Sequence, residues 1–134
     1  MRIAALLVAL IVACHHAAFA GDVAAAQSVI RAQEQAFVRD DATAAYSHAA
    51  PAIKEIFPAP DIFMSMVQNG YAPVYRHKSF EFGESKTDGT WIAQRVHIVD
   101  ANGEAWEALY TLEQQGDGSY MITGCSLLKA GQAV

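Results

Sequence analysis

Residues 79–129 read SFEFGESKTDGTWIAQRVHIVDANGEAWEALYTLEQQGDGSYMITGCSLLK, and this stretch decides the fold. Four short runs of apolar and aromatic residues are separated by Thr87-Asp88-Gly89, Ala101-Asn102-Gly103 and Gly116-Asp117-Gly118. Asp or Asn followed by Gly marks a tight hairpin, because one loop residue must take φ > 0 and only Gly does so without steric cost. The spacing predicts a four-stranded antiparallel meander. Three-residue loops pair Lys86 with Thr90, Asp100 with Glu104, and Gln115 with Ser119.

In that register the even-numbered residues share a face that is nearly all apolar: Phe80, Phe82, Ile92, Val96, Ile98, Trp106, Ala108, Tyr110, Leu112, Tyr120, Ile122 and Leu128. A two-residue loop at Asn102-Gly103 would slip the central pair by one residue and break this face. The odd face is mixed: Glu81, Trp91, Arg95, His97, Glu107, Leu109, Thr111, Glu113, Met121, Cys125 and Leu127. One side therefore packs on other elements, and the other is wet or meets a partner.

Upstream, the chain reads as helices. Val23, Ala26, Ile30, Gln33 and Phe37 recur at three- and four-residue steps from Asp22 to Asp40, with Asp22 in position to cap the start. Ala42 to Ala50 makes a short second helix anchored by Tyr46, and Pro51 opens a turn holding Ile53, Ile56 and Phe57. Asp61 caps a helix over Ile62 to Asn69 that Gly70 closes, and Tyr71 to Arg76 runs extended into the first strand. Helices followed by a meander predict an α+β fold, with the N-terminal helices on one face of a curved four-stranded antiparallel sheet. A twisted sheet wrapped over a long helix makes a cone open at one end, a shape that holds a small ligand.

At the N-terminus, Met1-Arg2, the apolar run Ile3 to Ala13, and Ala18-Phe19-Ala20 make a secretory signal pattern. The expectation is cleavage near Ala20 and a single domain over 21–134, periplasmic or secreted. The run is too short for a stable transmembrane anchor, which needs about 20 apolar residues. Ile11-Val12-Ala13-Cys14 offers lipid anchoring at Cys14 as an alternative. Removal of Arg2 with the leader leaves eight basic against fourteen acidic side chains, a formal charge of −6. An acidic chain without a basic cluster argues against nucleic acid as a partner. Cys125 is then the lone thiol, expected to be packed. His48, His77, His97 and Cys125 lie too far apart in sequence for a zinc motif, and no cofactor is implied.

Several runs carry a family resemblance. Ile30-x-x-Gln33-x-x-Ala36-Phe37-x-x-Asp40-Asp41, Ala50-Pro51-Ala52-Ile53, Phe63-Met64-x-Met66-Val67-x-x-Gly70-Tyr71-x-Pro73-Val74-Tyr75-Arg76, and Ala108 to Glu113 continuing through Asp117-Gly118-Ser119-Tyr120-x-Ile122-x-Gly124-Cys125 resemble the bacterial domain-of-unknown-function family 4864. Tyr120 departs from it, standing where such sequences often carry Trp. The resemblance implies a nuclear-transport-factor-2-like cone and no established activity.

The candidate pocket comprises Gln94, Tyr110, Ser126, Trp106, Tyr71 and Tyr75. The register sets Gln94 opposite Tyr110, with Gly124 beside Tyr110. A Tyr hydroxyl and an amide in an apolar site can polarise a carbonyl, but that face lacks a carboxylate or His, and His48, Glu55 or Asp61 would have to reach in from helices. Gln94 and Tyr110 also have a plain structural reading, satisfying each other in the core. On the odd face, His97 opposes Glu107 and Glu81 opposes Arg95, a pattern of surface ion pairs or of a sheet-to-sheet homodimer. The favoured function is a non-catalytic module binding a small apolar ligand or a protein, including its own copy. The alternative is a small isomerase- or hydratase-like enzyme using Tyr110.

Overall fold

The four strands form one open antiparallel sheet in the order β1-β2-β3-β4: β1 His77–Asp88, β2 Trp91–Asp100, β3 Ala105–Gln114 and β4 Tyr120–Lys129. A computed structural model describes residues 13–131, with side chains described from Gly21 onward. The leader through Val12 and the side chains of Cys14, His15, His16 and the Ala18-Phe19-Ala20 site lie outside the described residues. Among the described residues, five helices precede the sheet: α1 Ala13–Val38, α2 Ala42–Ser47, α3 Pro51–Ile56, α4 Pro60–Gly70 and α5 Ala72–Tyr75. The architecture is the α+β arrangement that the pattern of helices and turns predicts, consistent with a cone.

The central and last hairpins open with three-residue loops. Asp100 N donates to Glu104 O (2.8 Å) and Gln115 N to Ser119 O (2.7 Å), with Gly103 and Gly118 at φ 85° and 89°. The first hairpin differs. Asp88 pairs with Trp91 around a two-residue loop, in which Gly89 takes the positive φ (60°) and Thr90 does not. Gly at the first loop position is the II′ arrangement, whose twist matches that of the strands. The slip alone would turn Phe80 and Phe82 to the wrong side. A bulge at Gly83-Glu84 restores them, so Phe82 faces Val96 and Glu81 faces His97 rather than Arg95.

A second bulge corrects the register of β4. Leu112 pairs with Ile122 but Thr111 pairs with Gly124, leaving Thr123 as the extra residue. Beyond it every side chain changes face. Cys125, not Gly124, stands opposite Tyr110, and Leu127 replaces Leu128 on the helix side. Ser126 is thereby turned to the outer face, where it is exposed.

The helices also depart from expectation in detail. Ala26, Ile30, Gln33 and Phe37 are the buried face of α1, as their spacing requires. Asp22 lies within α1 rather than at its start, close to the Tyr120 hydroxyl. Helix α4 begins one residue before Asp61, with Pro60 in the first turn and Ala59 as cap, and Gly70 is its last residue. Tyr71 to Arg76 is mostly helical, not extended, because Pro73 falls in the first turn of α5, where its fixed φ is compatible with a helix.

The core lies between α1, α4 and the inner sheet face. Phe37 stacks on Phe63 at 6.3 Å, and Phe80 meets Tyr110 edge-on at 6.4 Å. The helix layer is fastened to β4 by backbone. Ile122 N donates to His48 O (2.9 Å) and Ala50 N to Ile122 O (2.8 Å), a parallel bridge that covers part of the sheet edge.

Candidate ligand cavity

The β4 bulge and the helices line a cavity of about 300 Å³ that is open on one side. Gln33 and Phe37 come from α1, Ile53 and Phe57 from α3 and the residue after it, and Phe63, Met66 and Val67 from α4. Tyr71 and Val74 flank it, Tyr110 comes from β3, and Ile122 to Cys125 supply the sheet wall. Most of these groups are apolar. Gln33 donates its amide to Ala45 O (3.2 Å), and the Thr123 hydroxyl donates to Thr111 Oγ1 (2.8 Å).

Tyr110 is the buried hydroxyl at this wall. Burial first, then the adjacent Cys125 thiol and the charge of Glu34, push its pKa well above the ordinary phenol range, so it stays protonated and remains a donor. Burial likewise pushes the Cys125 thiol up to about 12, against a hydrogen bond with Tyr110 that acts the other way. Neither group ionises near neutrality. They present donors, not a nucleophile or a base.

Tyr71 and Tyr110 are the two members of the sequence-derived candidate set that the structure brings together here. Gln94 is fully buried behind them. Its Nε2 donates to Arg95 O (2.7 Å) and Gly83 O (3.0 Å), with Glu84 O at 3.3 Å, and its Oε1 accepts from Gln27 Nε2 (3.0 Å). Gln94 does stand opposite Tyr110 across the strands, but its side chain serves the carbonyls of the β1 bulge and Gln27 rather than the Tyr110 hydroxyl. Trp106 lines a separate groove and donates its indole N–H to Asp100 Oδ2 (2.9 Å). Tyr75 is outside the cavity, its hydroxyl bonded to Asp40.

Among the described residues, no carboxylate or histidine lines the cavity. Glu55 and Asp61 are exposed, and His48 is held neutral by burial and by Lys54. Glu34 is the carboxylate nearest in effect to Tyr110, and it is engaged elsewhere. It is 11% exposed, 2.7 Å from Arg31 Nη1 and 3.5 Å from His77 Nε2, while the other ring nitrogen of His77 donates to Pro73 O at 3.0 Å. On the outer face, His97 does oppose Glu107, but the Glu107 carboxylate is held by Arg95 at 3.2 Å.

The cavity residues that sequence reasoning missed, Thr123 and Cys125 above all, depend on the bulge. A glycine inside a strand, here Gly124, is the signal for it. Among the described residues, no group of three His, Cys, Asp or Glu could hold a metal ion, and no helix is long and apolar enough to cross a membrane.

The family-like run Gly70 to Arg76 has a structural account. Arg76 Nη1 donates to Phe37 O (2.7 Å) and its Nη2 to both Asp40 oxygens (2.9 and 3.0 Å), closing the end of α1 onto α5. Tyr71 meanwhile lines the cavity. No curated protein and no solved structure matches the chain at a significant level. Residues 20–133 match Domain of unknown function (DUF4864), and the chain belongs to that family.

Proposed function

We propose that the chain is an exported, non-catalytic module that binds a small apolar molecule in the cavity between the helices and β4. The observation that carries this reading is a cavity of about 300 Å³ lined by apolar groups and protonated donors, with no base among the described residues. Its volume is at the lower end of the roughly 300–1,000 Å³ range of ligand sites. An apolar cavity of about 150 Å³ accommodates benzene. The occupant here is therefore a bicyclic ring system or a chain of similar bulk. General acid–base chemistry needs a second titratable group within reach of the substrate, and its absence from the lining favours binding over an isomerase or hydratase. The export part of the proposal rests on the leader pattern of residues 1–20.

Native mass spectrometry of the protein purified from its own cells tests this reading. A reproducible added mass that disappears in Phe63→Trp, which fills the cavity, supports it. An unliganded mass unchanged across growth conditions overturns it.

The outer sheet face favours a second, compatible reading, self-association. Trp91 is 46% exposed there, and Leu109 and Met121 are partly exposed beside it. A sedimentation coefficient of a dimer that Leu109→Glu converts to a monomer would establish it, and a monomer in the unaltered protein would remove it.

A further inference from the structure

We propose that the cavity selects an uncharged ligand, one that places a single hydrogen-bond acceptor such as a ketone, aldehyde or ether oxygen against the Tyr110 hydroxyl, and that it rejects carboxylates. The inference rests on the reading of the cavity as a ligand site and narrows its ligand class.

Three observations carry it. First, among the described residues no Lys, Arg or His lines the cavity. Arg31 is the cation of the nearby core, and it is held by Glu34 (2.7 Å), by Phe80 O, and by the ring of Phe82 4.8 Å below its guanidinium. An anion entering would be desolvated without a partner, which is among the costliest events in a protein interior.

Second, the ion pair nearest in the core is closed on itself. Glu34 is 11% exposed, 2.7 Å from Arg31 Nη1 and 3.5 Å from His77 Nε2, and neither Glu34 nor Arg31 is in the cavity lining, so that pair offers an entering anion no partner.

Third, the other polar groups of the wall are already engaged or reach water. Thr123 donates to Thr111, and Gln33 gives an amide proton to Ala45 O. Tyr71 is partly exposed. The buried Tyr110 hydroxyl is bonded to the Cys125 sulfur, a weak acceptor that a ligand oxygen would displace at little cost. Sites of this kind discriminate by whether the ligand carries an acceptor at one position.

Three probes of one shape test the inference: 2-acetylnaphthalene, 2-isopropylnaphthalene and 2-naphthoate, titrated calorimetrically into the unaltered protein, Tyr110→Phe and Met66→Arg. The unaltered protein is expected to bind the ketone about five- to tenfold tighter than the hydrocarbon, the worth of one hydrogen bond. It should bind the carboxylate at least about tenfold more weakly than the ketone. Tyr110→Phe should erase the difference between ketone and hydrocarbon while leaving the hydrocarbon affinity in place. Met66→Arg adds a cation to the lining and should raise the carboxylate above the hydrocarbon. Equal binding of ketone and hydrocarbon by the unaltered protein overturns the role of Tyr110 but leaves the cavity a ligand site. Carboxylate binding as tight as the ketone overturns the charge selection. Failure of all three probes on all three proteins removes the cavity reading itself, and this inference with it.

Discussion

Gln27 on α1 donates its side-chain amide to the side-chain oxygen of Gln94 on β2 across 3.0 Å, joining residues 67 positions apart. The same Gln94 amide donates to backbone carbonyls at the Gly83-Glu84 bulge. One fully buried polar side chain therefore fixes the helix to the sheet and satisfies the groups that the bulge removes from the ladder.

Gln94→Leu keeps the volume and removes both functions. Gln27 and the carbonyls of Gly83 and Arg95 lose their partner, and buried polar groups left unsatisfied cost about 1–3 kcal/mol each where water cannot reach them. The expected loss is about 3 kcal/mol in urea unfolding. A loss below about 1 kcal/mol would mean that water replaces the amide at the bulge.

Gly83 carries a different constraint. A Cβ there would lie 2.6 Å from Nε2 of His97, whose ring crosses the bulge on the exposed face. Gly83→Ala should cost about 1 kcal/mol by displacing that ring. Adding His97→Ala should recover the loss. A double variant no more stable than Gly83→Ala alone would place the cost in the backbone.

Asp100 sets an acid limit. Its carboxylate accepts from the Trp106 indole and from the backbone N–H groups of Asn102 and Glu104, and these bonds, the indole first, hold its pKa below the ordinary Asp value. A carboxyl with a folded pKa below its unfolded value of about 3.9 contributes stability above that value and loses it as pH falls through the folded pKa. Unfolding midpoints followed by tryptophan fluorescence should therefore drop below about pH 4. Asp100→Asn should flatten that drop, and an unchanged acid limb would assign it to other carboxylates.

Cys125 should be inert although it is the one thiol in residues 21–134. With its pKa near 12, the thiolate fraction at pH 8 is roughly a thousandfold below that of a free cysteine, so labelling by a disulfide reagent should be slower by about that factor than in urea. Rates within about tenfold of the unfolded protein would show that the thiol samples an open, ionised state.

Much of the sheet was legible because the turns are strongly marked. Asn102-Gly103 and Asp117-Gly118 fix their registers, and the apolar alternation from Ile92 to Leu112 follows from them. The first turn was misread because Gly89 serves equally well in a two- or three-residue loop. The bulge that absorbs the difference depends on Gln94, which is distant in sequence. The cavity was legible only in part. Tyr110 sits before the β4 bulge and kept its assigned face, whereas Cys125 and Ser126 sit beyond it and exchanged theirs. Tyr75 and Trp106 are aromatic for local reasons, serving Asp40 and Asp100, which composition cannot separate from lining a pocket.

The order of elements has a consequence for synthesis. Helix α1 emerges first, yet the strand residues that bury Ile30 and Phe37 and accept Gln27 lie more than 40 positions downstream. Each hairpin of the meander joins neighbours and closes within microseconds once made, whereas α1 must wait for β2. During that interval an amphipathic helix stands uncovered, the kind of surface that chaperones hold. The backbone bridge between Ala49 and Ile122 and the wall from Ile122 to Cys125 both need β4, so the cavity is completed only after the last strand has been made.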